Sequence, residues 1–292
     1  DKGAIWHFGE VAREQRALAE GKSWANLSHR SVIGISGEDR LSWLHSLTTQ
    51  HLENLQPGEW KEALILDPQG HLESQFFLVD DGEHTFLHID HERAEPLLSY
   101  LEKMKFMLRV SVEDLSSSYA IFKAPGRTDS IGGPYALVPR SEMQSTATAF
   151  SLANTEVGMW ALEAERISQG RARIGLDTDH KTIPNEIGVL NKSVHMNKGC
   201  YRGQETVAKV FNLGQPPRRL VLLHLDGSNV DLPAHGDPIF AGEKEVGFVG
   251  SVGRHHELGP IALGLIKRNT PPDTILFAGG IPATQEILVP TE

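Results

Sequence analysis

The one thiol in the 292-residue chain is Cys200, within "MNKGCYRGQE" (196–205). A cysteine does chemistry as the thiolate, which nearby cations and helix N-termini favour. Lys198 stands two residues before it, and a helix is expected to start a few residues after it. Glu205 opposes thiolate formation if it lies close. Gly199 and Gly203 permit unusual φ or a close approach to a ligand. The competing reading is a small buried hydrophobe, the commonest fate of a lone cysteine.

Three other groups offer chemistry. Glu186, in "TIPNEIG", could accept two parallel N–H bonds from an amino-heterocycle edge such as a pterin or purine, provided it is buried. Exposed, it is an ordinary solvated charge. Arg218 and Arg219 close the segment "QPPRR". They suit a carboxylate tail on a ligand, but two arginines ending a linker read first as solvated charges. The histidines of "HTFLHIDH" (84–91) and "RHHEL" (254–258) resemble ligand groups. In a strand, however, His84 and His88 are ~13 Å apart. His255 and His256 would face opposite ways, and zinc needs three or four convergent ligands. No metal site is expected, and these histidines read as exposed turns. The chain has no G-x-G-x-x-G, no phosphate-binding G-x(4)-G-K-[ST] and no G-x-S-x-G elbow, which removes weight from those enzyme classes.

Composition sets the frame for these residues. The hydrophobic share is 39% and the charged share 23%, ordinary for a globular protein. At ~150 residues per domain the length suggests about two domains. One cysteine excludes an internal disulfide and a four-thiolate zinc site, which fits a reducing, cytoplasmic setting. A net charge of −10 makes a poor non-specific nucleic-acid binder, so no direct nucleic-acid partner is expected. The longest nearly apolar run, Gly259–Ile266, falls far short of the ~20 residues of a membrane span. The opening stretch lacks an apolar signal region.

The periodicities place the elements. "EVAREQRALAEG" (10–21) predicts a short helix with a glycine stop. "SVIGIS" (31–36) predicts a strand. "SGED" (36–39) matches a capping box for a helix from Glu38 to about Thr48, with Leu41, Leu44 and Leu47 at helical spacing. "WKEALILD", "HLESQFFLVD" and "EHTFLHID", separated by "DPQG" and "DDGE", predict an antiparallel meander. "HERAEPLLSYLEKMKFML" predicts a helix, and "RVSVEDL" and "YAIFKAPG" return to strand. Residues 126–155 read as loop-rich. "GMWALEAERISQG" predicts a helix with Trp160, Ala164 and Ile167 on one face and Gly170 as its stop. "GLDTDHKTIPNEIG" predicts a loop. "GQETVAKVFNLG" predicts a helix beginning near Gly203, with Val207, Val210 and Phe211 on one face. After the linker, short strands with Gly and Pro turns predict a C-terminal β-barrel or sandwich.

"KGCYRGQE" (198–205) closely resembles the K-G-C-[FY]-x-G-Q-E signature of the YgfZ family of folate-binding proteins. The stretch from "LSHRSVIGISGED" through "LVDDG", with "RISQGRARIG…IPNEIG" and "EVGFVGSVG", resembles the wider T-protein (aminomethyltransferase) superfamily. The resemblance implies an α+β fold of mainly antiparallel sheets and flanking helices around a central folate funnel, plus the barrel. It implies a discontinuous folate-binding domain (1–53 and 115–213), a sheet-plus-helix subdomain (54–114) and a barrel (214–292). Tetrahydrofolate or a derivative is the implied cofactor, and iron–sulfur client enzymes or assembly proteins are the implied partners. Glu186 would read the pterin edge. Lys198, Cys200, Tyr201, Gly203, Gln204 and Glu205 would lie near the folate, with Cys200 and Lys198 as the reactive pair, and Arg219 would assist binding. One departure stands out: Glu73 and Ser74 replace the T-protein's Asp-Asp pair. A ~1 Å misplacement can cost ~10²-fold in rate, so aminomethyl transfer or demethylation of an amine is the alternative rather than the leading function.

Overall fold

The structure is a computed structural model that describes residues 2–126, 135–228 and 231–289. In chain order the elements are α1 (Val11–Ala19), β1 (Ser23–Asn26), β2 (Ser31–Ser36), α2 (Arg40–Leu47), β3 (Trp60–Leu66), β4 (Leu72–Asp80), β5 (His84–Ile89), α3 (His91–Met104), β6 (Ser111–Asp114) and β7 (Tyr119–Lys123). Then come β8 (Tyr135–Pro139), α4 (Met143–Ser151), β9 (Thr155–Glu156), α5 (Met159–Ser168), α6 (Gln204–Leu213), β10 (Arg218–Leu225), β11 (Pro238–Ala241), β12 (Lys244–His255), β13 (Gly259–Lys267), β14 (Leu276–Ala278) and β15 (Ile281–Ile287). The fold is the expected mixed α+β arrangement with a closed C-terminal barrel. The chain divides into two compact units. The first comprises 1–66, 73–159 and 191–202; the second comprises 67–72, 160–190 and 203–292.

The first unit holds two sheets. One has the order β3-β4-β5-β2-β6, so the expected meander forms and β2 joins beside it. Alternation along each strand sends one face inward. Ile33 and Ile35, Ala63 and Ile65, Phe76 and Leu78, and Leu87 and Ile89 bury there against Trp43, Leu44 and Leu47 of α2 and Leu97 and Leu101 of α3. The capping box does not form. Asp39 stands at the N-cap of α2 without a side-chain cap bond; its carboxylate instead accepts the backbone N–H and guanidinium of Arg109 at 2.9–3.2 Å. A charged donor outcompetes a neutral amide for a carboxylate.

The second sheet, β8-β7-β1-β9, carries a core of Trp24, Ala120, Phe122 and Val138. Its cover is α4, in a stretch that reads as loop because Ser and Thr are scattered through it. Met143, Ala147 and Phe150 pack on that core, with the Phe150 ring 6.0 Å from Trp24. Residues 127–134, also in that stretch, lie outside the described residues.

In the second unit the barrel runs β10-β13-β12-β11-β14-β15 and closes through β10–β15, with Val221 opposite Ile287. Its interior includes Val221, Leu223, Ile239, Val249 and Ile266. Arg218 and Arg219 are the first residues of β10 rather than the end of a linker. On α5, Ala164 and Ile167 are buried as expected, joined by Ala161, whereas Trp160 is 49% exposed. On α6, Val207 is buried while Phe211 is 53% exposed.

Two glycines meet backbone to backbone here. Gly203, just before α6, has φ +80°, and a Cβ there would lie 2.6 Å from the Asp67 carbonyl oxygen and 2.8 Å from Gly70 Cα. Gly70, at the β3–β4 turn, has φ +88°, and its added Cβ would lie 2.8 Å from Thr206 Cβ. Gly199 differs: its φ is not positive and a Cβ would meet nothing within 4 Å. Gly203→Ala is therefore expected to destabilise by at least about 1–3 kcal/mol, whereas Gly199→Ala should stay within about 0.5 kcal/mol. Urea unfolding midpoints of the two variants check this.

Candidate functional site

The Glu186 carboxylate lies in the second unit, on a 3₁₀ turn (Pro184–Glu186) that Pro184 opens. It is fully buried. Arg218, at the start of β10, grips it in a two-pronged pair: Nε donates to Oε1 at 2.9 Å and a terminal nitrogen donates to Oε2 at 3.0 Å. Oε2 also accepts the Ile183 N–H at 3.0 Å. The same guanidinium donates to both Asp179 oxygens at 2.7 and 3.0 Å. Burial opposes the charge on Arg218, but its bonds to Glu186 and Asp179 outweigh that and hold it above the ordinary arginine value. Burial likewise tends to raise Asp179, yet Arg218, Thr182 and the Lys181 N–H hold it well below the usual carboxylate range. Neighbouring Asn185 donates to the Val207 carbonyl at 3.3 Å, and its buried Oδ1 has no partner. Arg218 is thus no solvated linker charge. Arg219 is buried and donates to the Arg268 and Thr270 carbonyls and to Gln285 Oε1 at 3.1, 2.7 and 3.2 Å, tying β10 to the barrel.

The "RISQG" stretch also has a packing role. Arg166 on α5 donates to Asp177 at 2.9 Å, to Glu163 at 2.7 Å and to the Ser251 hydroxyl. Asp177 in turn accepts the Ser251 N–H at 2.7 Å, beside Gly250, where an added Cβ would lie 2.4 Å from its Oδ1. The second glycine of "GFVGSVG" therefore makes room for a buried carboxylate.

The first unit holds the front of the signature. Cys200 is exposed, so the buried-hydrophobe reading fails. Lys198 is buried, and its ammonium donates to the carbonyls of His45, Thr48 (2.5 Å) and Gln50 (3.2 Å). Burial pushes it down to about 8, against the pull of Glu53. It also lies 5.2 Å from the centroid of Tyr201, whose hydroxyl burial pushes up to about 12. Arg202 donates to Glu73 at 3.1 Å. Ser74 is buried while Glu73 faces outward. The last signature residues, Gln204 and Glu205, open α6 in the second unit.

The histidine readings change. His88 is fully buried against Phe77 (5.2 Å) and Tyr135 (4.5 Å), accepts the Arg30 Nε–H at 3.0 Å, and is held well below its usual value by that burial. His255 and His256 do not face opposite ways: β12 ends at His255, and the two rings lie 4.6 Å apart with side chains only 8% exposed. Among the described residues, one group places two histidines together with a carboxylate, namely His45 and His51 with Glu53. They straddle the end of α2, so no single period lines them up in the sequence.

Residues 218–279 match the family model of the glycine cleavage T-protein C-terminal barrel domain. The chain is similar to an iron–sulfur cluster assembly factor IBA57 homolog, mitochondrial, of Mycosarcoma maydis. The two are 26% identical over 266 residues, covering 80% of this chain and 66%, just under two thirds, of that relative. It is also similar to the aminomethyltransferase of Rippkaea orientalis, at 24% identity over 316 residues, 90% of this chain and 85% of that one. It shares the fold of the glycine cleavage system aminomethyltransferase T from Bartonella henselae, with a TM-score of 0.79 at 17% identity, covering 97% and 89% of the two chains. The closed barrel is of the kind that this family model describes, and the chain as a whole is similar to proteins of the T-protein superfamily. With "KGCYRGQE" intact and an IBA57 homolog among its relatives, the chain resembles the YgfZ/IBA57 type.

Removing one partner of a buried pair strands the other charge. Arg218→Ala is expected to cost about 3–5 kcal/mol, read from urea unfolding at neutral pH. Asp179 is depressed on folding, so its contribution is complete above the unfolded value of about 3.9 and is lost as pH falls below it. Asp179→Asn should flatten the acid limb of stability against pH, measured by thermal melts from about pH 5 down to about pH 2.

Proposed function

We propose that this protein binds tetrahydrofolate or a derivative and supports the assembly or repair of iron–sulfur enzymes, with Cys200 as its reactive group. The observation that carries the reading is the complete signature with its thiol exposed. The iron–sulfur half is supported by the relative named as an iron–sulfur cluster assembly factor, and the folate half by the aminomethyltransferase fold. A reducing, cytoplasmic setting belongs to the same reading, since the lone thiol must stay free.

The residues present suit a reduced folate. Glu186 is an ionic acceptor fixed in plane by Arg218, and the unpartnered Asn185 Oδ1 adjoins it in sequence. Because Oε1 and Oε2 each already accept from Arg218, the N–H donors of a pterin would use the carboxylate's remaining lone pairs and the Asn185 Oδ1. Gln204, in the same unit, is a further candidate for the binding set, whereas Tyr201 belongs to the first unit, where it packs on Lys198. Arg218 is the cation at Glu186, whereas Arg219 has donors committed to barrel carbonyls. A cluster held by this chain alone is excluded by its thiol count, because such clusters take four thiolates. Any cluster contact is therefore shared with a client enzyme or assembly protein. Aminomethyl transfer is the weaker reading: Ser74 is buried and Glu73 is paired with Arg202, so neither presents the free aspartate of the transferase.

Calorimetry with tetrahydrofolate is expected to show one site per chain, weakened at least about tenfold by Glu186→Gln, a change of ~1.4 kcal/mol. Absence of binding at millimolar folate overturns the folate reading. Cys200→Ser is expected to keep folate binding but to lower iron–sulfur enzyme activity in oxidatively stressed cells. Full activity there overturns the thiol's chemical role.

A further inference from the structure

The cluster beside the Lys198 strut has no part in the folate reading. We propose that His45, His51 and Glu53 form a binding site for a divalent first-row transition ion, zinc or ferrous iron. A nitrogen from each imidazole and a carboxylate oxygen all lie within 4.8 Å of one another. The His45 and His51 rings meet edge to face at 4.8 Å, and the His195 ring lies 5.3 Å from His51 as a further donor within reach of small adjustments.

The backbone explains why these residues converge. His45 sits in the last turn of α2. Leu52 is wholly buried in the core of the sheet, so His51 and Glu53, its neighbours on either side, emerge away from that core. The intervening segment is pinned from several directions. The Thr49 hydroxyl donates to the Ser193 carbonyl at 2.6 Å and accepts the Leu64 N–H at 3.1 Å. Gln50 donates to the Glu62 and Lys192 carbonyls at 3.1 and 2.9 Å. The His195 N–H donates to the Thr49 carbonyl at 2.9 Å, and Lys198 donates to three carbonyls of the same segment. Such outer support is what holds metal ligands in place.

The donor set selects the ion. Two imidazoles and one carboxylate with open positions suit zinc or non-haem ferrous iron rather than magnesium or calcium, which prefer all-oxygen shells. Ligand atoms ~2.0–2.2 Å from one ion lie at most ~4.4 Å apart, so closing the site needs only small rotations. Glu53 is exposed and His51 only half-buried, so both have room to turn; ligation through His51 Nε2 would displace its 3.5 Å contact with Asn54 Nδ2. There are two opposing costs. The Lys198 ammonium adds a positive charge nearby, offset by the Glu53 carboxylate. The Leu52 N–H donates to His45 Nδ1 at 3.2 Å, so loading gives up that long bond: the neutral ring either ligates through Nδ1 or carries its proton there to ligate through Nε2.

The test uses the full chain. Cobalt(II), added anaerobically as an optical probe, should give a visible band that saturates at one ion per chain and is displaced by zinc or ferrous iron. Calorimetry with zinc should show His51→Ala and Glu53→Gln each weakening binding at least about tenfold. His84→Ala and Cys200→Ser should leave it unchanged. The two ligand variants should melt at the metal-free temperature of the parent but lose the zinc-induced rise. The proposal is overturned if no saturable binding appears below millimolar zinc. Binding that survives both ligand variants, or that disappears with Cys200→Ser, also overturns it.

Discussion

A carboxylate buried as fully as that of Glu186 needs a countercharge, and the second unit is arranged to supply one. Arg218 is the first residue of the barrel's first strand, so barrel closure delivers its guanidinium to the turn that carries Glu186. The same side chain fastens Asp179, and the loop between them is held through Thr182. Within this unit a second arginine repeats the device: Arg166 and Asp177 bind α5 and the following loop to the barrel strand at Ser251. Both depend on the fork geometry of arginine, which a lysine point charge does not reproduce.

The signature divides by physical task. Gly203 is required by backbone contact with Gly70, and Lys198 ties together three carbonyls at the end of α2 and in the segment after it. Tyr201 packs against that lysine, and Arg202 is paired with Glu73. Cys200 is different. It is exposed, and Gly199 before it meets no steric demand. A residue type that usually buries stands here at the surface, beside a lysine, a tyrosine and an arginine that each pack or pair.

The Lys198 strut joins two readings of the first unit. By holding the segment after α2, it fixes the backbone from which His45, His51 and Glu53 project. The thiol and the imidazole cluster thus depend on one lysine for local order, although only the thiol belongs to the recognisable signature.

Much of this was legible in the residues themselves. The alternation of "HLESQFFLVD" and the heavy turn chemistry after Gln215 determine strands, because side-chain period and glycine or proline punctuation are local properties. The signature and the superfamily likeness were equally plain, being contiguous strings. Helix α4 was hidden because its scattered Ser and Thr mask the face that Met143, Ala147 and Phe150 present. The "SGED" box misled because Arg109, seventy residues away, claims Asp39. Arg218 read as linker charge because Glu186 and Asp179 reach it only through barrel closure. By itself, then, the sequence determined the class of protein, its strands and its thiol. Tertiary structure alone decided which charges are buried in pairs and that the thiol is exposed, because burial and charge pairing are set by contacts between segments far apart in the chain; it also folded the segment after α2 so that His45, His51 and Glu53 share one corner.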